Sequence, residues 1–204
     1  MNSINLIIQF SALILAVVIH EVSHGYAALL LGDPTAKRAR RLTLNPLAHV
    51  DPIGSVILPL ILVLANSPVL LGWAKPVPFN PGYFRDPRRG IMIVGAAGPL
   101  SNFAVCLASA LLFRLVGPMT PILSGFLLMF CATNLILGLF NLIPVPPLDG
   151  SRIVMGLLPD DLLQGYMRLE PFGFIIIFAL LWMGALDRVI GPIFETLIRW
   201  LLVS

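Results

Sequence analysis

Apolar residues run almost unbroken from Ile4 to Leu31, a stretch of about 28 residues that predicts a single long helix. At 1.5 Å per residue it reaches about 42 Å, more than the ~30 Å hydrocarbon core of a bilayer. Gly32-Asp33-Pro34 follows as a stop signal, with glycine just past the helix and proline close behind. Further apolar segments occupy 53–71, 91–116, 121–143 and 172–190. The segment at 53–71 is broken by Pro59, Asn66 and Pro68, which makes it either an additional span or a re-entrant one. Three prolines within 76–81 exclude a regular helix there and predict an extended path through Trp73–Phe79. Alternation at Leu42–Asn45 predicts a short strand. Gly117-Pro118 predicts a turn, and Pro159-Asp160-Asp161 the start of a short helix. In the tail, 192–203, Glu195, Thr196 and Arg199 oppose Phe194, Leu197, Ile198 and Leu201, the pattern of an interfacial helix.

Composition sharpens the class. The 204 residues are 58% hydrophobic and only 11% charged, and the mean hydropathy is +0.95. Soluble domains carry about 25% charged residues. The expected fold is an all-α integral membrane protein, a polytopic helical bundle with a re-entrant or extended segment, forming one membrane-embedded domain over 1–204. The net charge of +3 does not indicate nucleic acid, because the basic residues sit in short loops between spans, the pattern of membrane orientation. Cys106 and Cys131 both lie in apolar spans and read as small core residues rather than a disulfide. The first run has neither a basic leader nor a small-residue cleavage site, so it does not read as a removable signal peptide. No internal repeat is visible.

Within the first run stands His20-Glu21-Val22-Ser23-His24. Residues four apart share a helix face, so His20 and His24 can present two imidazoles to one divalent ion. Glu21 lies about 100° around from His20, placed for a water beside the metal rather than for the metal itself. Ionisable groups at membrane depth cost about 2.5–3.5 kcal/mol on insertion scales and are seldom idle. A catalytic zinc takes three protein ligands, and the candidates for the third are His49, Asp51, Asp149, Asp160 and Asp161. His49 and Asp51 fall in a proline-bounded loop and read as surface residues. Asp149 precedes Gly150 at a predicted helix start, where unpaired N–H groups favour a carboxylate. Spacing alone leaves it open whether Asp149 is a ligand or a helix cap.

Ten of the thirteen Lys and Arg fall in three loops, 32–52, 72–90 and 151–171. If all three face the cytoplasm, 53–71 must enter and leave on one side. Asp149 then finishes at the end of the first helix nearer His24, and the site lies nearer the cytoplasmic side.

With these residues placed, the chain resembles the site-2 protease family, the membrane-embedded zinc metallopeptidases of peptidase family M50. Three motifs carry the resemblance: His-Glu-x-x-His at 20–24, Gly98-Pro99-Leu100-Ser101-Asn102, and Asn141 to Gly150, which is similar to the family signature Asn-x-x-Pro-x-x-x-Leu-Asp-Gly. The resemblance implies Asp149 as third zinc ligand beside His20 and His24. It also implies a zinc-dependent endopeptidase that cuts within or near a transmembrane helix of a substrate protein, in a prokaryotic cell membrane. No loop is long enough for a PDZ domain, and neither a CBS domain at the end of the chain nor a span before the motif helix is expected.

The mechanism expected on that basis has Glu21 as general base and Asn141 as the first choice of amide donor to the developing oxyanion. Asn102 and Asn134 are expected to bond between helices, with Asn102 also a candidate for substrate contact. Trp73 and Val77 are expected either to take an unwound substrate as an added strand or to belong to a rigid interfacial loop with Trp73 at the headgroup level. Two rival readings are a non-catalytic, metal-stabilised membrane scaffold and a metal or proton transporter. Glu21 speaks against the first, and the absence of internal symmetry against the second.

Overall fold

A computed structural model describes residues 3–65, 72–116 and 120–202. Nine α-helices occur among them: α1 Ser3–Leu30, α2 Thr35–Arg38, α3 Leu58–Leu64, α4 Pro87–Val116, α5 Pro121–Asn141, α6 Asp149–Leu157, α7 Asp160–Met167, α8 Gly173–Trp182 and α9 Ala185–Leu202. Among the described residues, four stretches are long and apolar enough to cross a membrane: Ile4–Leu30, Pro87–Leu115, Pro121–Asn141 and Asp160–Trp182. The protein is an all-α, polytopic integral membrane protein.

The bundle is built on α1, α4 and α5, with α6 laid against α4. α4 starts four residues before its apolar run. Asp86 accepts from the N–H groups of Arg88 and Arg89, both at 3.1 Å, and Pro87 stands first in the helix. A carboxylate before a proline in the first turn begins a helix whatever the hydropathy of that turn. On the far side of the bundle Cys106, Ala110, Cys131 and Leu135 form an apolar core. Phe194, Leu197, Ile198 and Leu201 of α9 pack against it, so the apolar face of the tail helix covers the bundle. Arg114 of α4 donates to the carbonyls of Trp200 and Leu201 at the α9 C-terminus. Cys106 and Cys131 are free thiols.

The last apolar segment differs from its expected bounds. α8 ends at Trp182, and α9 begins at Ala185 after Gly184, whose φ of +63° is the left-handed conformation that terminates helices. Residues 42–45 form no strand; Asn45 instead caps a 3₁₀ turn at Pro46–His49 by accepting from Leu47 N–H.

A π-helical stretch, Pro52–Ile57, leads into α3. Together they span about 20 Å, short of the hydrocarbon core. Asn66 and Pro68, and the turn at Gly117-Pro118, lie outside the described residues. Past that gap Trp73 N–H donates to the Gly54 carbonyl at 3.1 Å, and Lys75 N–H to the His49 carbonyl at 2.9 Å. Residues 73–75 thus lie beside the start of the π-helical stretch and the turn before it. The chain then runs without regular structure to Asn80, as the prolines dictate. Arg41 holds the Lys75 carbonyl, and Asp33, fully buried at the end of α1, accepts from Asn80 N–H at 2.6 Å.

Candidate metal centre

His20 and His24 lie one turn apart near the middle of α1, and both are buried. α4 can approach them because residue 98 is glycine. A Cβ there would stand 2.5 Å from His24 Nε2 and 2.6 Å from His20 Cε1. One residue on, Pro99 cannot donate to the Gly95 carbonyl, which opens the helix by one bond. From that region the Val94 carbonyl accepts from His24 Nδ1 at 2.6 Å. His20 Nδ1 bonds Asn102 Oδ1, also at 2.6 Å.

These bonds fix the imidazole tautomers. The Phe130 carbonyl can only accept, so Asn134 turns its amide nitrogen there, at 2.8 Å, and its oxygen toward Asn102. Asn102 Nδ2 then donates to Asn134 Oδ1 at 2.8 Å and to the Ala16 carbonyl at 3.3 Å. That leaves only Oδ1 for His20, so His20 Nδ1 carries the hydrogen. The Val94 carbonyl imposes the same on His24. In the neutral rings both Nε2 atoms therefore present lone pairs.

Asp149 opens α6 as its first residue, and its side chain makes no cap. Its Oδ2 lies 3.0 Å from His20 Nε2 and 3.1 Å from His24 Nε2, and the two nitrogens are 3.1 Å apart. With both rings neutral, three lone-pair atoms converge there, and Asp149 Oδ2 is buried without a hydrogen-bond donor. Such an arrangement calls for a cation. Ligands bound at about 2.0–2.1 Å to a tetrahedral ion stand about 3.3 Å apart, close to the observed separations. The residues fit a small four-coordinate divalent metal.

The triad borders a cavity of about 540 Å³. Glu21 faces it, and Glu21 Oε2 accepts the Val77 N–H at 2.9 Å. Asn141 lines the same cavity, its amide nitrogen donating to the Leu137 carbonyl at 3.0 Å. Trp73 closes one side: its indole lies on Gly54 and meets the Phe174 ring at 5.4 Å.

Several sequence-derived candidates fall elsewhere. Asn102 has no exposed surface and spends its amide on His20, Asn134 and Ala16. Val77 does line the cavity, but it is only 6% exposed, packed on the space left by Gly25, with its N–H given to Glu21. His49 is buried rather than at the surface, bonded to the Thr43 carbonyl at 2.9 Å, and Asp51 caps the stretch that follows. Asp160 pairs with Arg88 at 2.7 Å in an exposed position. Sequence reasoning missed Arg152, which lines the cavity and reaches Asp149 Oδ1 at 3.1 Å. Its position three residues after Asp149 was the available signal.

A polytopic membrane bundle enclosing a buried two-histidine, one-carboxylate centre next to a glutamate defines the class. Comparison with known proteins narrows it. The description of peptidase family M50 matches residues 115–183. The putative zinc metalloprotease YwhC of Bacillus subtilis is 39% identical over 176 residues, covering 82% of this chain and 77% of that protein. The putative zinc metalloprotease Rip2 of Mycolicibacterium smegmatis is 27% identical over 89% of this chain and 69% of its own length. The zinc metalloprotease MJ0392 of Methanocaldococcus jannaschii is 27% identical over 82% of this chain but only 38% of its own. No solved structure matches the chain. The chain belongs to peptidase family M50.

Proposed function

We propose that this protein is a zinc endopeptidase that cuts within or beside transmembrane segments of other membrane proteins, with His20, His24 and Asp149 holding the metal. The observation that carries this reading is the convergence of two tautomer-locked imidazoles and a carboxylate oxygen, 3.0–3.1 Å apart, beside Glu21. Two nitrogens and one oxygen with an open side suit catalytic zinc, and the relatives are named zinc metalloproteases. When bound, zinc would supply Lewis acidity to a water and to the scissile carbonyl.

The remaining work falls to the chain. Glu21 takes the proton of the attacking water on its carboxylate and delivers it to the leaving amine. The Val77 N–H holds one carboxylate oxygen and so sets the aim of the other. Asn141 offers its second amide hydrogen to the carbonyl oxygen as negative charge develops there. Asn102 and the Val94 carbonyl keep both rings from rotating, which makes Asn102 a support of the metal site rather than a substrate contact.

A helical peptide bond is shielded by its neighbours, so the substrate must be unwound and its freed backbone groups met. On an extended segment alternate residues turn their N–H groups to opposite edges. Those of Trp73, Lys75 and Val77 are taken by Gly54, His49 and Glu21. On the opposite edge Pro76 and Pro78 have no N–H, and the Pro76 carbonyl is met by Arg41 at 3.4 Å, so a substrate strand would pair there with the Ala74 N–H and the carbonyls of Ala74 and Pro78, with Trp73 framing its entry. The distribution of basic loops supports a metal site nearer the cytoplasmic face, and the prokaryotic relatives support a prokaryotic membrane.

The test is metal analysis and cleavage of a model transmembrane segment by the purified protein, Asp149→Ala and Glu21→Gln. The wild type should hold stoichiometric zinc and Asp149→Ala should lose it. Glu21→Gln should keep zinc and cut about 10²–10⁴-fold more slowly. Zinc-free wild type, or full activity in Glu21→Gln, would overturn the assignment.

A further inference from the structure

Asp149 has two carboxylate oxygens, and only Oδ2 meets the imidazoles. Oδ1 is taken by Arg152 Nη1 at 3.1 Å, one turn along α6. The arginine is itself held on two further sides. Its guanidinium carbon lies 5.4 Å from the centre of the Phe79 ring. Its Cβ sits against Gly95 of α4, where an added methyl group would be only 2.7 Å away. Its outer face lines the cavity, and the side chain is 29% exposed. An i,i+3 pair on an open helix surface would have none of these supports. Phe79 belongs to the extended segment whose Val77 N–H holds Glu21. Two residues of one strand-like stretch therefore brace both sides of the centre.

We propose that Arg152 is a positioning residue for the metal ligand: by holding Oδ1 of Asp149 while braced on Phe79, it turns Oδ2 toward His20 and His24. The inference rests on the reading of Asp149 as a ligand. Outer partners of metal-binding carboxylates keep the bound rotamer populated, and their loss costs about 10–100-fold in metal affinity. A guanidinium also repels a dication. Were charge its only influence, removing it would tighten binding. Positioning and charge thus predict changes of opposite sign.

The experiment measures zinc affinity by chelator competition in detergent micelles for wild type, Arg152→Gln, Arg152→Lys, Phe79→Leu and Asp149→Ala, together with thermal unfolding of each metal-free protein. Arg152→Gln should bind zinc about 10–100-fold more weakly. Arg152→Lys, which keeps the charge but not the planar fork, should fall between it and wild type. Phe79→Leu should lose about two- to fivefold. The metal-free unfolding temperatures should stay together. Wild-type or tighter affinity in Arg152→Gln overturns the proposal, as does a loss of affinity matched by a drop in metal-free stability. If Arg152→Gln does not fold, Arg152→Lys decides the matter, with unchanged affinity overturning it. Wild-type affinity in Asp149→Ala would instead remove the ligand assignment on which the proposal stands, a separate failure.

Discussion

His20 Nδ1 donates to Asn102 Oδ1 at 2.6 Å, a bond that joins α1 to α4 across 82 residues of sequence. It ends a chain of amides whose direction is set by the carbonyls of Phe130 and Ala16. Asn102→Ala removes the acceptor that fixes the tautomer and strands Asn134 Oδ1 in a buried site. Zinc affinity should fall about 10–100-fold, and the metal-free protein should lose about 1–3 kcal/mol. Asn134→Ala, one bond further out, should disturb affinity less. Chelator competition and thermal unfolding of the two variants check this together.

Gly98 makes a second, steric demand on the same helix pair. A Cβ at that position would press within 2.5–2.6 Å of both imidazoles, which their Nδ1 bonds prevent from swinging aside. Gly98→Ala should therefore separate α1 from α4 at the centre, cost about 1–3 kcal/mol by overpacking, and lower zinc occupancy well below that of wild type. Gly125→Ala, whose added Cβ finds Ile8 at an ordinary 3.7 Å, serves as the control. Metal content measured on equal amounts of folded protein separates the two.

Much of this frame was legible in the chain itself. Hydropathy located α1, α4 and α5, because a bilayer demands long apolar helices. The four-residue spacing put His20 and His24 on one face, and counting crossings brought Asp149 to their end of the bundle. What stayed hidden depended on partners far apart in sequence. The Asn102–His20 bond, the burial of His49 and the brace on Arg152 have no periodic signature. The Trp73–Gly54 bond joins residues nineteen apart, a pairing for which sequence offered only a parity argument. The start of α4 could have been found: Asp86-Pro87 is a helix-opening pair that a hydropathy scan passes over. Alternation at 42–45 misled because Asn45 could cap a turn instead.

Val77 gives the extended segment a second task besides framing the cavity. Its N–H holds Glu21 Oε2 at 2.9 Å, and its side chain fills the space above Gly25. Val77→Pro removes the N–H, whereas Val77→Ala keeps it and loses only packing. A hydrogen bond to a charged acceptor contributes about 1.5–3 kcal/mol, so Val77→Pro should slow cleavage about 10–100-fold at full zinc content. Val77→Ala should slow it less. Turnover of a model transmembrane substrate, normalised to bound zinc, is the measurement; equal rates for the two variants would deny the backbone bond a role.

Asp33 ties that segment to the end of α1 and carries a pH dependence outside the membrane spans. Burial pushes its carboxyl up, but hydrogen bonds from the Thr35 hydroxyl, the Asn80 N–H and the Thr35 N–H outweigh burial and hold it below the usual carboxylate range. The folded state thus prefers the ionised form more than the unfolded chain does. The stabilisation is complete above the unfolded value near 3.8 and is lost as pH falls through the lower folded value. Asp33→Asn cannot accept from all three donors and should lose about 1–3 kcal/mol at neutral pH. The gap between wild type and variant should narrow steadily as pH falls below the carboxylate range, because protonation then does to the wild type what the substitution does at every pH. Thermal unfolding of both proteins in micelles across that range checks it, and a gap that stays constant into acid would mean that the charge of Asp33 does not hold the segment in place.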